Sequence, residues 1–368
     1  MSREKHIRVG ITHGDINGVG YEVIIKTLMD SRLLETCTPV VYGSPKVAAY
    51  HRKALNISNF NFTSIQSIEE LVPGRTQIIN CLDDEVRVEL GKSTGLAGES
   101  AVISLNMAVD DIIAGKIDVL VTAPVNKHNI QSEKFPYTGH TEYLHSKSEG
   151  KEVLMIMASE NMKIGIATSH LPLSEVPAAI TKELIVSKLR IMNSSLMRDF
   201  SVRKPRIAVL SLNPHAGDEG LLGTEEQEII IPAIKEADKE GILAFGPYPS
   251  DGFFGAGSFT KFDGILAMYH DQGITPFKAL AFDSGVNFTA GLDFIRTSPN
   301  HGTAYDIAGK GTASEHSFRN ALNLACDIFR NRIMYDEITH NPLKSHAVDS
   351  RSGSEELPPE EEHNNNSL

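Results

Sequence analysis

Short apolar runs alternate with longer stretches of helical periodicity along nearly the whole chain, and this alternation restricts the fold more than any other feature. IRVGIT (Ile7–Thr12), PVVYG (39–43), IDVLVTAPV (117–125), KIGIATSH (163–170), RIAVLSLNPH (206–215) and DGILAMYH (263–270) predict strands. Between them, helical periodicity runs from about Tyr21 and through residues 99–113, 181–198, 225–240 and 315–332. Strands that alternate with helices predict an α/β fold with a mostly parallel sheet. No repeat and no linker interrupts residues 1–345, which read as a single two-lobed unit. From Lys344 onward, Ser, Glu, Pro and Asn replace nearly all apolar residues, so residues 346–368 read as an acidic, disordered tail.

Charge and cysteine usage narrow the setting. The formal net charge is −12. Six acids and one base after Ala347 supply −5 of it, leaving −7 on the body. That balance excludes a basic nucleic-acid-binding face, and a small anionic ligand would need a local cationic site. The three cysteines, Cys37, Cys81 and Cys326, form no CxxC pair and fit a reducing compartment. The opening MSREKHIRVGITHGD has no apolar signal-like core, and no apolar run reaches membrane-spanning length. The expectation is a cytoplasmic protein with no membrane partner.

Three of the apolar runs end in histidine: Ser169-His170, Pro214-His215 and Tyr269-His270. Ligands of open α/β sheets bind outside the carboxyl ends of strands, so three imidazoles meeting there would make a metal site with an open position. Each histidine alone equally suits a loop or a cap. Asp218 and Glu219 could orient an imidazole or simply line a solvated turn.

The anion-binding candidates are cationic or polar. His140 and Thr141 stand in TGHTEYL at a predicted helix start, where they could donate to a phosphate or carboxylate, or a threonine could cap the helix. Lys278 follows the His270 turn, and Arg296 lies in the Gly-rich stretch 285–311, which reads as a long functional loop. The first turn, GDINGVGYE, spaces its glycines as GxxxGxG. That is neither the GxGxxG dinucleotide fingerprint nor a P-loop.

Taken in order, GDINGVGYE, TAPVNK, GHTEYL, TSHLPLSEVP, NPHAGDEG, YHDQGITPFK and GVNFTAGLDFIRTSPNHGTAYDIAGKG resemble the 4-hydroxythreonine-4-phosphate dehydrogenase family, from Val9 to about Asn331. The resemblance implies a two-lobed α/β/α fold of the isocitrate and isopropylmalate dehydrogenase kind. It implies NAD or NADP as oxidant and a divalent metal, zinc with magnesium and cobalt as alternatives, on His170, His215 and His270, one of them reaching across from a homodimer partner with a shared active site. His140, Thr141, Lys278, Asn287 and Arg296 match the positions that hold a phosphorylated amino-acid substrate. In the chemistry this implies, Lys278 is the candidate for holding a carboxylate or moving a proton, and Asp271 or Asp251 for base or outer support. Departures from the family pattern, at Ile16, Asn17, Tyr21, the turn after Asp251, Asp293 and Asn300, remove none of these residues. Competing readings are a sister dehydrogenase acting on 4-phosphothreonate or phosphoerythronate, a metal-dependent hydrolase or lyase of a phosphorylated metabolite, and a non-catalytic metal-binding protein.

Overall fold

A computed structural model describes residues 6–83, 85–148 and 152–341. The first half runs β1 (Ile7–Thr12), α1 (Gly20–Leu28), α2 (Leu33–Thr36), β2 (Cys37–Gly43), α3 (Pro45–Ala54), β3 (Thr63–Ile65), β4 (Gln77–Asn80), α4 (Gly95–Ile113), β5 (Val119–Thr122), α5 (His140–Ser146), β6 (Leu154–Ala158) and β7 (Lys163–Thr168). The second half runs α6 (Val176–Ala179), α7 (Lys182–Arg198), β8 (Arg206–Leu210), α8 (Ile231–Lys239), β9 (Leu243–Tyr248), α9 (Ser250–Gly255), β10 (Gly264–Tyr269), α10 (His270–Ala281), β11 (Val286–Ala290), β12 (Arg296–Pro299) and α11 (His316–His340).

Among the described residues the strands form one twelve-stranded sheet, in the order β3-β4-β2-β1-β5-β12-β11-β6-β7-β10-β8-β9. The pairs from β3 to β12 and from β7 to β9 are parallel. The three central pairs, β12-β11, β11-β6 and β6-β7, are antiparallel. Three successive reversals leave the two parallel blocks running in opposite directions. The α/β, mostly parallel expectation therefore holds, with a reversal at mid-sheet that the apolar runs did not signal.

Local chemistry accounts for the boundaries. Every residue of β2 is buried, as befits a parallel strand covered on both faces. Ser44, Thr94 and Thr181 each accept an N–H bond as N-caps of α3, α4 and α7. α11 packs on β5, β11 and β12, while α7 and α10 cover β7 and β10. α10 lies very close to the sheet: a Cβ on Gly273 would come within 2.6 Å of Ile166 and 2.8 Å of Ile164. That close seat fixes the helix that begins at His270.

Several expectations are corrected. The stretch 285–311 is not one long loop: VNFTA and RTSP form paired strands, because alternate residues (Phe288, Ala290) enter the core. The strand expected over 206–215 stops at Leu210. The helix expected over 225–240 opens with a π-helical turn, Glu226–Ile230, and α11 continues to His340. The tail 346–368 lies outside the described residues. Among those described, no helix is long and apolar enough to cross a membrane.

Under the N-terminal half of the sheet, His13, Tyr21 and His51 stack in the core, with ring centroids 5.3 and 5.1 Å apart. Burial pushes both histidines down to about 4. Because these folded-state values lie below the ordinary 6.5, the unfolded chain takes up protons first as pH falls. The two groups therefore cost no stability above about pH 6.5, and an increasing amount down to pH 4, on the order of 3 kcal/mol for each. The urea midpoint should fall between pH 7 and pH 5; a midpoint that stays level would contradict a neutral, buried pair.

Candidate active site

Arg296 is the first residue of β12 and is only 3% exposed. Its Nε and Nη2 donate to Thr122 Oγ1 at 3.0 and 2.7 Å, and its Nη1 donates to Thr289 Oγ1 at 3.3 Å. Its Nη2 also lies 3.2 Å from His140 Nδ1. Every one of these partners is neutral. Burial lowers the guanidinium to about 10, so it stays charged at neutral pH. No carboxylate is hydrogen-bonded to it, and Glu142, on the wall of the same cavity, acts on it only through space. A buried ion with no directly bonded counter-ion is costly, and this arrangement invites an anion.

A guanidinium can only donate, so His140 accepts at Nδ1 and carries its proton on Nε2. Burial, and then the Arg296 charge, hold His140 well below the usual imidazole range, which keeps it neutral. The cap expected from Thr138 or Thr141 is absent: Gly139 holds the N-cap position of α5 with no side-chain bond. His140, Thr141, Asn287 and Arg296 instead line one cavity of about 210 Å³, together with Lys127, Glu142, His170 and His301. Register explains part of the convergence. Asn287 pairs with Ser298, two residues along the same face from Arg296. Asn287 Oδ1 and His301 Nε2 are buried without a hydrogen-bond partner.

His170 and His270 meet because β7 and β10 are parallel neighbours, with Thr168 opposite Tyr269. Thr168 Oγ1 donates to Met268 O at 2.7 Å and locks the two strand ends together. The imidazole centroids are 6.2 Å apart. Each ring has its Nδ1 on a carboxylate: His170 on Glu142 at 3.2 Å and His270 on Asp271 at 2.7 Å. Such contacts fix the tautomer and leave Nε2 with a free lone pair, the support that metal-ligating histidines generally have. Lys127 Nζ approaches His170 Nε2 at 3.4 Å. Chiefly through the His170 contact, Glu142 is held at about 2. Two imidazoles are ligand types that suit a divalent cation, but they are fewer than the three protein ligands of an open metal site. A second cavity, of about 550 Å³, adjoins the pair and is lined by Leu171, Leu173, Val176 and Asp271.

The three strand-end histidines do not meet within one chain. His215 is exposed beyond β8 and lines neither cavity. Among the described residues, no group of three or more His, Cys, Asp or Glu is placed to hold a metal. Lys278 is exposed on α10, and its charge helps burial to lower His301. Asp251 is exposed in the first turn of α9, away from both cavities. Sequence reasoning missed Thr122, Lys127, Glu142 and His301, although all four lie in or beside the quoted motifs. A polar residue closing an otherwise apolar strand was the available signal for Thr122.

The fold and site define a mostly parallel α/β protein in which a cavity backed by a buried arginine adjoins a pair of carboxylate-supported imidazoles. The family described as pyridoxal phosphate biosynthetic protein PdxA matches residues 35–325, and this chain belongs to it. A 4-hydroxythreonine-4-phosphate dehydrogenase of Bacteroides thetaiotaomicron is 56% identical over 355 residues, 96% of this chain and 97% of its own. Another, from Aquifex aeolicus, is 43% identical over 321 residues, 87% of this chain and 98% of its own. The crystal structure of the Klebsiella pneumoniae 4-hydroxythreonine-4-phosphate dehydrogenase matches with a TM-score of 0.77 at 32% identity, covering 88% of this chain and 100% of that one.

The electrostatics of Arg296 lead to a separation of stability from binding. Replacing it with methionine, Arg296→Met, removes a buried charge that has no directly bonded counter-ion, so the thermal midpoint of the unliganded protein should equal or exceed that of wild type. Inorganic phosphate should raise the midpoint of wild type but not of the variant. A variant still stabilised by phosphate would remove Arg296 from the anion site.

Proposed function

We propose that this protein is an NAD(P)-dependent dehydrogenase that oxidises the C3 hydroxyl of 4-phosphooxy-L-threonine. The product, 2-amino-3-oxo-4-phosphooxybutanoate, loses CO₂ to give 3-amino-2-oxopropyl phosphate, a step toward pyridoxine 5′-phosphate. The observation that carries this reading is Arg296, a buried cation on a cavity wall with only neutral partners. The names of the relatives agree with it.

The residues divide the work. Arg296 and the Nε2–H of His140 donate to the substrate phosphate, and Thr141 and Asn287 complete that end of the cavity. His170 and His270 offer Nε2 to a divalent metal, zinc or in its place magnesium or cobalt, with Glu142 and Asp271 holding their rings. When bound, the metal supplies a Lewis acid for the substrate hydroxyl, and the nicotinamide, NAD or NADP, supplies the hydride acceptor. Because Asp271 is already bonded to His270, its role is outer support. Lys278 is the candidate for the substrate carboxylate or for moving a proton.

The third ligand, His215, comes in this reading from a second copy of the chain, so that the active site is shared across a homodimer. Exposed leucines support it. Leu171 and Leu173, beside His170, are 43% and 69% exposed, and Leu221 and Leu222, beyond His215, are 79% and 43% exposed. In a two-fold dimer the two loops would cover one another reciprocally. A cytoplasmic setting completes the proposal.

The test is reduction of NAD⁺ or NADP⁺ by 4-phosphooxy-L-threonine, abolished by a chelator and restored by Zn²⁺. His170→Ala and His215→Ala should each be inactive alone. Co-expressed, they should recover about a quarter of wild-type activity, because half of a random mixture is heterodimer with one intact site. No recovery would contradict the shared site. Turnover of 4-phosphothreonate instead would assign the sister activity, and turnover without nicotinamide a hydrolase or lyase.

A further inference from the structure

The strand ends that carry the three histidines are held differently. His270 directly follows β10 and His170 stands two residues past the end of its paired neighbour β7, whereas His215 stands on a turn whose backbone is left-handed from His215 to Glu219, with φ of 52, 53, 79, 43 and 55°. Only Gly217 among these five adopts that region readily. For an L-residue it costs about 1–2 kcal/mol, so a run of this kind persists only where the surroundings hold it.

Two backbone bonds close the turn on itself: Leu221 N–H donates to Asp218 O and Leu222 N–H donates to Gly217 O, both at 3.0 Å. Its root is gripped by Glu226, which is 1% exposed in the π-helical turn. Glu226 Oε1 accepts from the backbone N–H of Leu212 and of Asn213, both at 2.8 Å. Its Oε2 accepts from Asn213 Nδ2 at 3.0 Å. The same Oε2 forms the floor of the turn, since a Cβ on Gly217 would approach it to 2.6 Å. All of its donors are neutral amides, so the carboxylate acts as a clamp on chain geometry, with no ion pair in the set.

The geometry points to Glu226 as a positioning residue: by holding both the stem and the floor of the left-handed turn, it fixes the place and direction in which His215 is presented. This rests on the reading of His215 as a metal ligand. Glu226 itself touches neither metal nor substrate. Glutamine keeps an oxygen that can accept the two backbone N–H bonds, whereas alanine removes every bond of the clamp.

The experiment compares full-length wild type, Glu226→Ala, Glu226→Gln, His215→Ala and the double variant, by hydrogen exchange of the metal-free proteins and by calorimetric titration with Zn²⁺. In Glu226→Ala, amides of residues 212–222 should exchange at least about tenfold faster, with α4 and α11 unchanged. Its Zn²⁺ affinity should fall about 10–100-fold, with most of that recovered in Glu226→Gln. Adding Glu226→Ala to His215→Ala should cause no further loss, because the two act through one group. Three results would overturn the proposal: exchange that quickens equally throughout the chain, a loosened turn with unchanged Zn²⁺ affinity, or a further loss in the double variant. If His215→Ala alone leaves Zn²⁺ affinity intact, the ligand reading falls and the proposal with it. The exchange data separate that failure from a failure of the clamp.

Discussion

A buried guanidinium with no carboxylate bonded to it is the constraint on which the site turns. Arg296 is held by two threonine hydroxyls and one imidazole nitrogen, groups that orient it without cancelling its charge. An ion pair would be the cheaper structural solution in a buried place. The sheet instead supplies Thr122 from β5 and Thr289 from β11, so the strands on either side of β12 spend side chains on aiming one cation. Burial, and after it the same charge, keeps His140 neutral, and it turns its remaining N–H elsewhere. Orientation without neutralisation is how a protein preorganises an anion site.

The second half of the site follows from strand direction. The parallel registry of β7 and β10 brings His170 and His270 together, and Thr168 ties their strand ends. Gln272 extends the same frame: its amide oxygen accepts Met268 N–H at 2.7 Å, and its amide nitrogen donates to Ser211 O at the end of β8. Strand ends that carry the candidate ligands are therefore linked through side chains that are themselves buried. The cavity beside Arg296 and the imidazole pair share His170 and Glu142, so the two lie side by side.

Much of this was legible in the sequence, and the exceptions have physical causes. The apolar runs located β1, β7 and β10, and the motifs identified His140, Thr141, Asn287 and Arg296, which do share a cavity. What periodicity could not express was long-range pairing. The antiparallel strands at mid-sheet are short and carry polar residues on the cavity face, so VNFTA and RTSP looked like loop. Glu142 and Lys127 owe their roles to contacts with His170 across 28 and 43 positions. Of the three strand-end histidines, His170 and His270 are neighbours in one chain, and His215 stands apart on a left-handed turn, a backbone conformation that sequence patterns do not announce.

The central claim is that the Arg296 cavity receives the phosphate of a substrate whose alcohol end reaches a metal on His170 and His270. A crystal structure of the protein with Zn²⁺ and 4-phosphooxy-L-threonine tests it most directly. The account predicts an anomalous peak about 2.0–2.1 Å from Nε2 of both histidines, and a phosphate bonded to Arg296 and His140. A phosphate bound away from Arg296, or zinc held by neither histidine, would contradict it.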